Sequence, residues 1–67
     1  MREAREYRGV LVVLYSISQP NGWGWAYQWG GKQGYGAHGE LSPTAEDAAD
    51  AAFRAATMMI DVVIDKA

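Results

Sequence analysis

The sequence predicts an α+β domain in which a three-stranded antiparallel sheet packs against one long carboxy-terminal helix. Glycine and proline divide the first part of the chain into short segments rich in β-branched and aromatic residues, which is typical of strands. Residues 45–65 contain no glycine or proline, and their polar residues recur at spacings of three and four, which is typical of a helix. The predicted order is therefore β-β-β-α.

The predicted strands span about 7–18, 23–29 and 35–41. Every odd position of the second strand is aromatic, and glycine, alanine and glutamine lie between them, so the period of two is strict. A turn at residues 19–22 joins the first two strands, because proline presets its own φ and Asn-Gly tolerates positive φ. We expect residues 30–34 to form a flexible loop before the third strand.

Residues 1–6 are expected to form a flexible lead-in, and residues 7–67 a single domain. A chain of this length buries only about 60% of the surface that its unfolded form exposes, so its core is marginal. The chain has no cysteine and one histidine, which excludes disulfides and multi-histidine zinc sites. Association with another chain is the remaining way to add stability.

The start of the helix has two candidate caps. Thr44 is placed as the N-cap, with Glu46 and Asp47 in the first turn, where the helix dipole favours negative charge. The alternative is Ser42 as the cap, with Pro43 at the first helical position. In either case the helix is about 32 Å long. A seven-residue strand reaches only about 23 Å, so we expect the helix to overhang the sheet.

The helix divides into a polar stripe, an alanine face and a large apolar segment. The stripe is predicted to be the solvated side, and the alanines opposite it let the helix approach bulky tryptophans closely. The residues of the stripe are Asp47, Asp50, Arg54, Thr57, Asp61 and Asp65. Large apolar residues cover most of the circumference between residues 58 and 64, which is more than one short sheet can bury.

An apolar strip on the first strand indicates an interface as well. We expect the odd-numbered residues 11–17 to join the aromatic face beneath the helix, so that the even-numbered residues 10–14 point to the other face. Two apolar surfaces are then left for a partner, and C₂ self-association is the commonest solution. The candidate interface residues are Val10, Val12, Leu14, Met58, Met59, Val62 and Val63.

The aromatic residues of the second strand allow two interpretations. They are the main core face of a small sheet, or they are a platform on which sugars or bases stack. Trp29 lies nearest the loop and is the aromatic residue for which we expect partial exposure. The candidate ligand contacts are Trp29, Lys32, Tyr35 and His38.

Two further patterns are weak signals of chemistry. The glycine-rich segment 30–36 has the composition of a phosphate loop but neither its spacing nor a following helix, so we interpret it as a hairpin loop. His38, Glu40 and Ser42 would share one face of a strand, which is the arrangement needed by a general base with a nucleophile. A solvent-facing histidine on an edge strand is the simpler interpretation.

Charge and hydropathy narrow the classes of partner. Six basic and eight acidic residues give a net charge of −2, which argues against nucleic acid or anionic membrane as the main partner. The apolar run at residues 10–15 is too short for a signal-peptide core or a membrane span. We therefore expect a cytoplasmic protein without a cofactor, whose partner is itself or another protein.

Short motifs along the chain resemble those of a group of small, uncharacterised bacterial domains. The motifs are Tyr7-Arg8-Gly9, Asn21-Gly22-Trp23, Trp25-Ala26, Ser42-Pro43-Thr44-Ala45-Glu46-Asp47-Ala48 and Met59-Ile60-Asp61. In that group the pattern is Tyr-basic-Gly, a Gly-Trp hairpin, Thr-x-Glu-Glu-Ala and a final Ile-Asp, so Asp47 departs from the second glutamate. The resemblance implies a hairpin, a third strand and a carboxy-terminal helix, without an assigned activity.

The layout is also similar to that of HicB-type antitoxins, in which a β-rich domain precedes an Asp-Thr-x-Glu-Glu-Ala helix. Thr44, Glu46 and Ala48 match the start of that helix. The glycine- and proline-rich segment of those proteins and their DNA-binding segment are not matched. The leading prediction is thus a small, non-enzymatic, homodimeric interaction module. The alternative is a HicB-like antitoxin or a phage-type inhibitor that acts by protein–protein contact.

Overall fold

The computed structural model describes residues 2–36 and 41–66 of the chain, and it confirms an α+β fold with an antiparallel sheet and one carboxy-terminal helix. The sheet has four strands, in the order β1-β2-β3-β4, so the prediction of three is wrong. The elements are β1 (Arg2–Tyr7), β2 (Val10–Gln19), β3 (Gly22–Trp29), β4 (Lys32–Gly36) and α1 (Ala45–Lys66).

The additional strand is β1, which occupies the residues predicted to be a flexible lead-in. It pairs with β2 from Arg2 opposite Tyr15 to Tyr7 opposite Val10. The connection is a two-residue turn in which Arg8 and Gly9 both have positive φ, 52° and 79°. This is the turn whose twist matches that of antiparallel strands, so the hairpin forms although β1 is rich in charged residues.

Residues 30–34 do not form the expected loop. Only Gly30 and Gly31 form the turn, with φ of 51° and 78°, and β4 begins at once with Lys32 opposite Trp29. The predicted strand at residues 35–41 therefore overlaps β4 only at its end, and residues 37–40 lie outside the described part. Ser42 returns to the sheet and exchanges two backbone hydrogen bonds of 2.8 Å with Trp23.

The turn between β2 and β3 lies where the sequence predicts it. Gln19 and Gly22 are opposite each other, and Gly22 rather than Asn21 has the positive φ, at 148°. Glycine is needed there for space as well, because an added Cβ would lie 2.8 Å from the Cβ of Leu41.

The register between β2 and β3 reverses the predicted faces of β2. Leu14 is opposite Tyr27, and Ser16 is opposite Trp25. Since residues directly opposite each other share a face, the even-numbered residues of β2 join the aromatic side. Val12 and Leu14 are consequently 0% and 1% exposed in the core. The apolar strip on the other face consists of Leu11, Val13, Tyr15 and Ile17.

Helix α1 packs on the aromatic side of the sheet, as predicted. The core joins Val12, Leu14 and Trp29 of the sheet to the inner face of the helix, and Trp25 and Tyr27 pack against it at the periphery. The predicted alanines form most of that inner face. The buried helix residues are Ala48, Ala49, Ala52, Ala56 and Ile60.

The helix begins as predicted, at a Thr44 cap. The backbone N–H of Asp47 donates to Oγ1 of Thr44 at 3.1 Å. With 22 residues α1 is about 33 Å long. The lengths do not require the expected overhang, however, because β2 has ten residues and reaches about 33 Å too.

Candidate interaction surfaces

One accessible apolar surface is the side of the sheet opposite α1, which we call the open face. Among the described residues, no helix or strand packs over it. Leu11 and Ile17 are 62% and 43% exposed there, and Val13 and Tyr15 between them are partly exposed. One strand therefore presents four large side chains in a row to solvent.

A shallow depression of about 290 Å³ lies beside the distal end of this row. Its lining residues are Tyr15, Ile17, Ala26, Tyr27, Gln28 and Gln33. The Tyr15 hydroxyl donates to Oε1 of Gln28 at 3.4 Å. The apolar lining can receive a hydrophobic side chain of a partner. The neighbouring amide groups can form hydrogen bonds with the backbone of that partner.

Charges of both signs border the open face on the side of β1. Arg2 is opposite Tyr15 and Glu6 is opposite Leu11, so the two side chains share that face with the apolar residues. Neither makes an ion pair within the part of the chain that the structure describes. The border thus carries one unpaired positive and one unpaired negative group.

A second apolar surface lies on the outer side of α1, which we call the helix patch. Its members were predicted as interface residues, and their side chains are exposed. They are Met58 at 67%, Met59 at 46%, Val62 at 48% and Val63 at 40%. Because α1 covers one side of the sheet, the helix patch and the open face belong to different layers. A single flat contact cannot cover both.

Most of the other half of the predicted interface is not accessible. Val12 and Leu14 lie in the core, and Val10 packs against it at the edge. The odd-numbered residues of β2 lie on the surface in their place, although we expected them on the helix side.

The polar stripe of α1 is not simply a solvated face, because it holds β1 in place. Asp61 accepts hydrogen bonds from the Tyr7 hydroxyl at 2.9 Å and from Arg8 at 2.8 Å. Arg8 also approaches Asp65 at 3.4 Å, and Arg5 pairs with Asp50 at 2.9 Å. These contacts connect residues about fifty positions apart and close the hairpin onto the helix.

The same contacts shift the titration of the groups involved. The Arg8 guanidinium, and then the Tyr7 hydroxyl, lower the pKa of Asp61 below its usual value of 3.8. The Asp61 carboxylate in turn raises the pKa of Tyr7 above 10.0, because ionised tyrosine could not donate to it. The cluster therefore favours ionised Asp61 and neutral Tyr7 across the neutral pH range.

The predicted ligand contacts do not come together as a stacking platform. Trp29 is only 7% exposed, less than the other aromatic residues of β3, so the expectation of its exposure is wrong. It faces the core because Trp29 continues the helix-side row with Val12 and Leu14. Lys32 lies over its ring at 5.8 Å from the centroid. Tyr35 lies in β4 with its side chain outside the described part, and His38 lies outside the described residues altogether.

Groups of metal ligands and membrane-spanning helices are both absent from the described ranges. No group of three or more acidic, histidine or cysteine side chains there is placed to hold a metal ion. No helix among those residues is long and apolar enough to cross a membrane.

Sequence reasoning missed the open face because it did not determine the register of β2 against β3. It missed the charged border because it left β1 out of the sheet. The Arg8-Gly9 step before an apolar run is the signal that could have indicated the first hairpin. Comparisons of the chain with protein-family models, curated proteins and solved structures found no match.

Proposed function

We propose that the protein is a small, non-enzymatic interaction module whose working surface is the open face, and that the occupant of this face is a second copy of the chain. The observation that carries the proposal is the row of four apolar side chains that no described element covers. Contiguous apolar surface of this kind on a folded domain is typical of protein contacts.

The dimensions of the molecule suit such a contact. Its principal extents are 40 × 21 × 17 Å, so the outline of the broadest side of the whole molecule is roughly 800 Å², of which the sheet is a part. A standard protein interface buries about the same area on each partner. Contact over the whole of both open faces would therefore be needed to approach an interface of ordinary size.

The poor core gives the contact an energetic reason. Within the described residues, five of the nine buried hydrophobic residues are alanine. Burying a fully exposed leucine or isoleucine is worth about 1.5–3 kcal/mol, so Leu11 and Ile17, at 62% and 43% exposed, would each gain about half of that, which is appreciable for a domain this small. In the dimer, Leu11 and Ile17 from each copy would add the burial of large apolar side chains that the core of a single chain lacks.

The test is the molar mass by light scattering over a concentration series, with a matched pair of variants. Ile17→Lys places a charge in the open face, whereas Met59→Lys places the same charge in the helix patch, where the native side chain is exposed to a similar extent. We expect association of the wild type, weaker association of Ile17→Lys, and no change for Met59→Lys.

Two outcomes would contradict the proposal. Dissociation caused by Met59→Lys but not by Ile17→Lys would assign the contact to the helix patch. A wild type that stays monomeric at all concentrations would contradict self-association. It would favour a different protein as the partner of the open face, as in an antitoxin-like or phage-type inhibitor.

A further inference from the structure

The outer edge of β1 carries backbone groups that its own sheet does not use. β1 pairs with β2 on one side, and no described strand lies on the other. Tyr7 and Val10 close a two-residue turn, so they form a hydrogen-bonded pair, and such pairs then alternate along the ladder. The N–H and C=O groups of Arg2, Ala4 and Glu6 consequently point outward.

The charges along this edge are arranged so that a second, antiparallel copy places opposite charges next to each other. Residues 2–6 read Arg-Glu-Ala-Arg-Glu. When two copies are laid antiparallel with Ala4 opposite Ala4, Arg2 meets Glu6 of the second copy and Glu3 meets Arg5. Every charge in the segment then has an opposite charge as its neighbour, which stabilises cross-strand pairs.

Backbone geometry selects the same register. Outward-pointing groups lie at the even positions, and pairing about Ala4 places even positions opposite even positions. The two neighbouring registers that satisfy this condition place Glu3 opposite Glu3 or Arg5 opposite Arg5, which is destabilising. Charge order and hydrogen-bonding geometry therefore agree on one alignment.

We propose that β1 is a self-pairing edge, through which two copies of the chain join antiparallel about a two-fold axis at Ala4. The product is a continuous eight-stranded sheet closed by about six new backbone hydrogen bonds. Charges on an edge strand commonly prevent pairing with other chains. Here their complementary order also makes the edge selective for its own copy.

This contact is separate from the one proposed for the open face and does not depend on it. The two-fold axis is perpendicular to the sheet, so both helices lie on one side and both open faces on the other.

The charges of β1 are available for this contact. Arg2 and Glu6 make no ion pair within the described residues. Glu3 and Arg5 already pair at 2.8 Å, and in the dimer the two pairs would form one group of four charges. Both contacts together would assemble four copies.

A charge exchange tests the edge without altering the fold. We would measure the dissociation constant of Arg2→Glu, of Glu6→Arg and of the double variant, all in the Ile17→Lys background that removes the open-face contact. Each single variant creates two like-charge contacts in the dimer, so association should weaken about tenfold or more. The double variant restores opposite charges and should recover the background affinity.

A backbone variant provides the second test. Ala4→Pro removes an outward N–H that the β1–β2 ladder does not use, so the chain should stay folded and become monomeric in the same background. Ala4→Ser keeps that N–H and is the matched control.

The inference is overturned if the Ile17→Lys background is monomeric at all concentrations, or if the double variant associates no better than the single ones. Failure of the open-face proposal looks different. In that case Ile17→Lys leaves the mass of the wild type unchanged, while the β1 variants still reduce it.

Discussion

At the scale of single residues, Asp61 has the largest structural role in the polar stripe of α1. It accepts hydrogen bonds from Tyr7 and Arg8 and so connects the end of the first hairpin to the last turns of the helix. Tyr7 also packs edge-on against Phe53, at 6.1 Å between ring centroids. Asp61 thus fixes Tyr7, which makes both a polar and an aromatic contact with α1, whereas Arg5 is held separately by Asp50.

The lowered pKa of Asp61 predicts an acid-sensitive contribution to stability. This contribution is present above the unfolded pKa of 3.8 and is lost as pH falls through the lower folded value. Arg8→Gln removes the first cause of the shift, so the acid-dependent loss of stability should be smaller than in the wild type and should be complete at a higher pH. Denaturant unfolding from about pH 6 to about pH 2 measures this.

Arg54→Gln is the matched control, because it removes the same charge from the exposed side of α1. The prediction is wrong if the two variants have the same acid profile. The raised pKa of Tyr7 predicts a dependence on pH in the opposite direction. The contribution of Tyr7 to stability is complete below pH 10.0 and is lost at more alkaline pH.

Gly34 is required by a neighbouring ring and not by its backbone. A Cβ at this position would overlap the ring of Tyr27, which lies directly opposite across β3 and β4. We expect Gly34→Ala to destabilise the domain by about 1–3 kcal/mol, as overpacking does. The measurement is a double-mutant cycle with Tyr27→Ala, in which the penalty of Gly34→Ala should largely disappear. Equal penalties in both backgrounds would assign the cost to the backbone.

At the scale of elements, α1 and β1 differ in what makes them form. Helix α1 has strong local signals, namely alanine-rich composition, a cap and an acidic first turn. β1 has weak ones, since Glu and Ala, which supply three of its six residues, are poor strand formers. It forms because a two-residue turn returns the chain onto β2 and because Arg5, Tyr7 and Arg8 reach carboxylates of α1.

The cap of α1 can be tested against the alternative start. Thr44→Ala removes the acceptor of the Asp47 N–H and should cost about 1 kcal/mol of stability. Thr44→Ser keeps the acceptor and should cost much less. Ser42→Ala should have little effect, because Ser42 binds Trp23 through its backbone. A larger loss for Ser42→Ala, measured by denaturant unfolding, would favour the earlier cap.

At the scale of the whole molecule, the fold has one covered and one open side. Helix α1 packs its alanines close to the central strands, and the open face keeps Leu11 and Ile17 in solvent. Among residues 2–36 and 41–66, no further layer covers that face. The stability of the domain is therefore expected to depend on association.

This dependence predicts a melting temperature that rises with protein concentration, since association stabilises the folded chain by mass action. Thermal unfolding followed by far-ultraviolet circular dichroism over about a hundredfold range of concentration would show it. In Met59→Lys the rise should persist, and in Ile17→Lys it should be smaller. A melting temperature independent of concentration in the wild type would contradict the expectation.

The sequence by itself determined the elements whose signals are local. The helix over 45–65, its Thr44 cap, the turn after β2 and the alternating aromatic strand all follow from spacing within a few residues. Tertiary structure decided the rest. Whether Leu11 or Val12 faces the helix depends on the register of β2 against β3, and a shift of one residue reverses every side chain. Likewise, β1 is a strand because the two-residue turn returns it onto β2 and because α1, about fifty positions later, supplies carboxylates to its side chains. The open face and its charged border result from the registers between strands and from these contacts with α1, and the polar and apolar pattern of one segment does not determine them.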